Sequence, residues 1–210
     1  MEAPDHDLRK FEELTVKGKS KVDEICRKAT EVFSKKGYVN ASLADVARGA
    51  GISKGGIYHY FSTKEELLFL ILCRYMDQTL NELKEKLRRV DSPQEKIRTF
   101  VLHHIGHYRD NLHESRLILH EAHNLPAKYW FIIRDKEKAY VDLLKSAIEN
   151  LHEGLNRDST KVKLIVYSLI GMCNWPYMWY DPSGAVNPEE LADQISRIFL
   201  HDFTQWGSRP

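Results

Sequence analysis

The stretch from Leu43 to Tyr60 constrains the chain most. Its apolar spacing describes two very short helices, about Leu43–Ala50 and Ser53–Tyr60, with only Gly51 and Ile52 between them. So short a link forces a sharp bend, and Gly51 supplies the backbone freedom for it. Ser42 and Asp45 are placed to cap the first helix, whose Leu43, Val46 and Ala47 face inward. Ile52 plugs the angle between the helices. Ser53 caps the second, and Ile57 and Phe61 point from it to the core. The pattern is a helix-turn-helix. Ser53, Lys54, Gly55, Tyr58 and His59 are left near its exposed face and the N-terminal end of the second helix, which in such motifs enters the major groove.

The rest of the chain also reads as helix, and no alternating strand pattern competes. Val22, Ile25, Cys26, Ala29, Val32 and Phe33 recur at helical spacing, with Lys35, Lys36 and Gly37 suited to that helix's C-terminus. A long helix is expected from Ser62, with Glu65 completing a capping box, to about Arg89. Ser92-Pro93-Gln94-Glu95 opens another, to about Arg109. Further helices are expected over Glu114–His123, from Pro126 to near Gly154, from a cap at Asp158 to the turn Asp181-Pro182-Ser183-Gly184, and from Asn187-Pro188-Glu189-Glu190 to about Trp206. The expectation is an all-α protein of about nine helices. A helix-turn-helix DNA-binding domain would occupy residues 1–64, and a ligand-binding and dimerisation domain residues 65–210.

Charge supports that division. The formal net charge is only +1, but residues 17 to 64 carry ten Lys/Arg against four Asp/Glu, a local +6. Residues 65 to 210 carry nineteen against twenty-one. A basic front end on a near-neutral body points to a polyanionic partner. Three distant cysteines, Cys26, Cys73 and Cys173, offer no disulfide framework. Met1 to Leu14 alternates charges with no apolar run and is not a signal peptide. Leu164 to Tyr180 is 17 residues without a charge, short of the about 20 a membrane span needs. It reads as a buried helix, and the expected setting is cytoplasmic with no membrane partner.

The residue types at the tip of the motif suit DNA. Lys54 can reach a guanine edge or a phosphate. Gly55 and Gly56 let backbone come close. Tyr58, His59, Tyr60 and Lys64 form a polar, aromatic and basic fringe for phosphate oxygens, and the helix that begins at Ser42 presents N–H groups.

The run Gly51-Ile52-Ser53-Lys54-Gly55-Gly56-Ile57-Tyr58-His59-Tyr60-Phe61, then Lys64-Glu65-Glu66-Leu67, resembles the DNA-binding domain of the TetR family of transcriptional repressors, and Ala41 to Ala47 fits too. The resemblance implies a homodimer that sets two reading heads on a palindromic operator and is released when a small effector enters the C-terminal body. It places phosphate contacts at Ser42, Tyr58, His59, Tyr60 and Lys64. His59 and Tyr60 stand where members often have an aromatic followed by His. The segment Asn174-Trp175-Pro176-Tyr177-Met178-Trp179-Tyr180-Asp181-Pro182-Ser183-Gly184 is similar to the matching end of the acyl-coenzyme A-responsive, FadR-type subgroup. That likeness implies an acyl-CoA thioester as effector, no resident cofactor, and control of genes for degrading fatty acids or related acids.

The body itself offers less. His104 and Tyr108 on one helix, Trp130, Ile133 and Tyr140 on another, and Asn174 and Trp175 are the candidate effector contacts, in a mainly apolar lining. The last helix carries Leu191, Ile195, Ile198, Phe199 and Phe203 as one stripe. Trp179, Ile195, Phe199 and Phe203 are the candidate dimer contacts, on a two-fold interface. The same stripe could instead pack on its own body, and Trp175 could serve pocket or interface. A drug-responsive repressor of the same fold is the alternative. A metal sensor is a weaker one: His103 and His107 are four apart and could chelate an ion. An exposed polar face explains them more simply, and no metal ligand is assigned. No phosphate loop or nucleophile elbow points to an enzyme.

Overall fold

A computed structural model describes residues 5–151 and 159–206; the side chains of Asp5, His6, Asp7, Arg9 and residues 202–206 are not described. The helix end expected near Gly154, the cap expected at Asp158 and the side chain of Phe203 therefore lie outside the described residues. Every regular element among the described residues is helical: α1 Asp5–Glu12, α2 Val16–Lys36, α3 Leu43–Gly49, α4 Lys54–Tyr60, α5 Lys64–Leu87, α6 Pro93–Asp110, α7 Leu112–Glu121, α8 Ala127–Glu149, α9 Ser159–Asn174 and α10 Pro188–Trp206. Short 3-10 turns follow α7 at Ala122–Asn124 and α9 at Trp175–Met178. None of these helices is long and apolar enough to cross a membrane.

One helix beyond the nine expected is α1. Its charge alternation hides two apolar residues three apart, Leu8 and Phe11. Phe11 is buried and lies 5.3 Å from the Phe61 ring. Lys10 pairs with Glu66 and donates to the Tyr60 carbonyl at 3.1 Å. The start of α5 also differs by one residue. Thr63 rather than Ser62 is the cap, accepting from Glu66 N at 3.1 Å, and the Glu66 carboxylate returns to Ser62 N at 2.8 Å.

Packing divides the chain into two compact units. The first is Met1–Asp77 with His113–Lys136, and the second is Gln78–Leu112 with Glu137–Pro210. The core of the first joins Val22, Ile25, Ala29 and Phe33 of α2 to Leu43 and Val46 of α3, Ile57 of α4 and Leu67, Leu68, Phe69 and Leu72 of α5. Phe69 stacks on Tyr129 at 4.1 Å. In the second, α10 packs along α6, and α9 touches both. Its core includes Ile97, Phe100, Val101, Ile105, Leu144, Val166 and Leu169. The three cysteines are buried and unpaired, and burial pushes the Cys26 and Cys173 thiols up to about 12.

Candidate DNA-reading helix and effector site

The turn between α3 and α4 is built by local chemistry. Gly51 adopts φ 63°, a left-handed conformation that disfavours other residues, and Ile52 N donates to the Ala47 carbonyl at 3.0 Å. Ser42 and Asp45 form a reciprocal capping box: Asp45 N donates to Ser42 Oγ at 3.2 Å, and Ser42 N to Asp45 Oδ2 at 3.0 Å. Lys36 and Ser42 bonded to the Asp45 carboxylate hold it far below the usual carboxylate range. Two of the N–H groups expected to meet phosphate at this helix start are thus occupied by the box. Ser42 serves the fold there, though its residue surface stays exposed.

At the start of α4, Ser53 Oγ accepts from Gly56 N at 3.0 Å. The two glycines differ in role. A Cβ on Gly56 would stand 3.2 Å from that capping oxygen, whereas one on Gly55 would meet nothing closer than 4.0 Å. Gly56 protects the cap, and Gly55 keeps the outer face low. Ser53, Lys54, Gly55, Tyr58 and His59 are all exposed, as the sequence suggests, and Tyr60 is half-buried with its ring edge-on to His59.

Lys64 is held within its own unit. Its ammonium donates to the carbonyls of Tyr38, Val39 and Ala41 at 3.0, 3.0 and 3.2 Å, and it lies over the Tyr38 ring. Without DNA all three protons are spent on the loop that precedes α3, so Lys64 braces that loop of the reading head.

In the second unit four of the expected effector contacts converge. The His104 ring meets Asn174 Oδ1 through Nε2 at 3.0 Å and the Tyr140 hydroxyl through Nδ1 at 3.3 Å. Tyr108 donates to the Cys173 carbonyl at 2.9 Å and lies 3.4 Å from His104 Nε2. With Nε2–H donating to Asn174 and Nδ1 accepting from Tyr140, one neutral tautomer satisfies the ring. Burial pushes its pKa down to about 4, yet the residue keeps accessible surface. That combination suits a group lining an interior space. Phe100, 4.8 Å from the Tyr140 ring, adds an apolar wall.

The remaining candidates lie elsewhere. Ile133 is buried in the core of the first unit, and Trp130 packs against that core. Trp175 is 64% exposed. Ile195 and Phe199 are buried within a single chain, because α10 lies on α6 and covers them. The exposed apolar side chains of this region include Leu164, Tyr167, Trp175, Met178, Trp179 and Ile198. The first four recur at three- and four-residue steps around Gly171, so the uncharged stretch of α9 and the turn after it present one apolar face outward.

Sequence reasoning misses a cleft of about 700 Å³ in the second unit, lined by Leu87, Pro93, Leu143 and Ala147, by the cations Lys84, Arg88 and Lys96, and by Asp91, Ser146 and Asn150. Lys84 in the last turn of α5 and Arg88 just past its end are four apart, a spacing that could have flagged it.

Two family models match the chain: bacterial regulatory proteins of the tetR family over residues 25–71, and the tetracyclin repressor-like C-terminal domain over residues 90–203, more than half of the chain. The chain belongs to the TetR family. It is a helix-turn-helix DNA-binding regulator and not an enzyme. Among TetR relatives, it is 28% identical to the transcriptional repressor KstR2 of Mycolicibacterium smegmatis over 89% of this chain and 92% of that one. Among solved TetR structures, it resembles AibR in complex with isovaleryl coenzyme A and operator DNA (27% identity, TM-score 0.76, 85% and 97% of the two chains). A TetR-family regulator from Bordetella parapertussis 12822 gives a TM-score of 0.82 at 26% identity, over 85% and 93% of the two chains.

Proposed function

We propose that the protein is a dimeric repressor that leaves a palindromic operator when an acyl-CoA thioester binds its second unit, and that it controls genes for degrading fatty acids or related acids. The observation that carries this reading is the His104–Tyr108–Tyr140–Asn174 group. It sets hydrogen-bonding side chains beside apolar walls, which an effector with an apolar chain and a polar thioester requires. The likeness to AibR, which was crystallised with an acyl-CoA and operator DNA, supports the same ligand class.

The cleft lined by Lys84, Arg88 and Lys96 offers three cations beside one carboxylate, Asp91, for the phosphates of coenzyme A, and apolar side chains for its adenine. From Pro93 at that cleft to His104 is eleven residues of α6, roughly 16 Å at helical rise. That span suits the arm between nucleotide and thioester. The exposed apolar face of α9 with Trp179 and Ile198 is the surface assigned to the two-fold partner.

Coupling of about 1–3 kcal/mol is enough, weakening DNA binding about 5–150-fold. The test is a fluorescence anisotropy titration on the palindrome upstream of the protein's own gene, with acyl-CoA thioesters, free acids and free coenzyme A. Release by one thioester class is expected. Tight binding that no thioester disturbs would sink the ligand assignment and leave the drug-responsive reading.

A further inference from the structure

The His104 group is one side of α6. On another side, His103 and His107 are buried, at 4% and 7% exposure, rather than forming the solvated face their sequence suggests. Glu82 of α5 joins them, and one ligand atom from each of the three residues lies within 4.8 Å of the others. The two Nε2 atoms are 3.4 Å apart. Two imidazole nitrogens bound to one zinc ion at 2.0–2.1 Å and a tetrahedral angle stand about 3.4 Å apart. We infer that Glu82, His103 and His107 form a divalent-metal site, taking zinc or a similar borderline ion, that ties α5 to α6 within the second unit.

The donor chemistry fits. Two imidazoles and a carboxylate are a common zinc set, and they leave a fourth position open to water. Gln78 donates to one Glu82 oxygen at 2.8 Å, which orients the carboxylate. Asn111, 3.1 Å from His107 Nδ1, can accept from that nitrogen once its amide is turned, leaving Nε2 for the metal. A further sign comes from Thr79. Its hydroxyl is buried with no hydrogen-bond partner among the described residues, one turn before Glu82 on α5. A metal-bound water is a partner that such a group lacks.

Metal-free, the site is held by other bonds. His103 Nε2 donates to the Thr79 carbonyl at 3.0 Å, and Lys86 donates to His103 Nδ1 at 3.2 Å. Loading shifts the His103 proton from Nε2 to Nδ1, so the ring stays neutral and no net proton leaves. Lys86 must swing away, which its exposed position allows. Its charge opposes the metal, so Lys86 weakens the site. The inference does not depend on the effector being an acyl-CoA.

The experiment is zinc titration of the full-length protein in competition with a chromophoric chelator, with cobalt(II) absorption reporting coordination number. One zinc per chain is expected, with a four-coordinate cobalt spectrum. His107→Gln should weaken binding at least 100-fold and Glu82→Gln at least tenfold, both with helical circular dichroism unchanged. Lys86→Met should tighten binding severalfold. Half-buried Glu82 keeps the test alive if the histidine variant misfolds. Zinc retained equally by Glu82→Gln and His107→Gln would place the metal on surface histidines such as His113 and His120 and overturn the inference. So would no zinc binding by the wild-type chain, or Lys86→Met leaving affinity unchanged.

Discussion

The reading head and the effector group hold their polar residues in opposite ways. In the head the decisive bonds are local: Ser42 with Asp45, Ser53 with Gly56, and the turn through Gly51, all within a few residues. In the second unit His104 meets Asn174 across 70 residues, and Tyr108 meets the Cys173 carbonyl across 65. A locally closed motif holds one shape with few long-range contacts. A group assembled from three helices depends on how those helices lie, which is what a ligand can change. The difference matches the division of labour between holding DNA and responding to an effector.

The largest expected effect tests whether the head is as self-contained as this implies. Phe61 is fully buried and packs on Phe11. Phe61→Ala should cost about 3–5 kcal/mol in chemical denaturation and abolish operator binding. Effector binding by calorimetry should persist at temperatures where the second unit stays folded. Loss of both together would show that the two regions fold as one cooperative block.

Next is the pH dependence of the buried histidines. His104 titrates near 4 in the folded chain against an ordinary value of 6.5. Between those values the unfolded chain binds the proton and the folded chain does not, so stability is full above 6.5 and falls as pH drops toward 4. One pKa unit is about 1.4 kcal/mol, so His104 alone contributes on the order of 3 kcal/mol to that loss. Urea midpoints at pH 7 and 4.5 should differ, and His104→Gln should reduce the difference. Equal differences in the two proteins would mean that other groups carry the dependence.

The same contrast between local and long-range bonds governs what is legible in the sequence. Caps, glycines and their spacing are local rules, so α3, α4 and the exposed residues of α4 follow from the order of residues alone. His104, Tyr108, Tyr140 and Asn174 are each legible as polar residues on apolar stretches, but their meeting is a tertiary fact. Trp130 and Ile133 are equally legible as the apolar face of their helix, yet they pack into the first unit. The α10 stripe is plainly apolar in sequence. Only packing shows that Ile195 and Phe199 face α6 while Ile198 faces out.

Asn174→Ala probes that tertiary group directly. It removes the acceptor that fixes the His104 ring while sparing the reading head. Operator affinity without effector should stay within about twofold, and the release caused by the effector should shrink by most of the typical 1–3 kcal/mol of coupling. Anisotropy with and without effector measures both. An unchanged response would remove Asn174 and the orientation of His104 from the effector site.

The smallest effect separates two lysines that the sequence treats alike. Lys54 is exposed at the tip of α4, whereas Lys64 donates to three carbonyls of its own unit. A lysine that neutralises a phosphate releases about one counterion, so Lys54→Ala should reduce the slope of log affinity against log salt by about 1. Its urea midpoint should not move, because no fold contact is lost. Lys64→Met should do the reverse: it lowers the midpoint by leaving three carbonyls without their donor, and it keeps the slope. If Lys64→Met flattens the salt slope while its midpoint holds, the lysine lets go of the loop when DNA arrives, and the positioning role given to it is wrong.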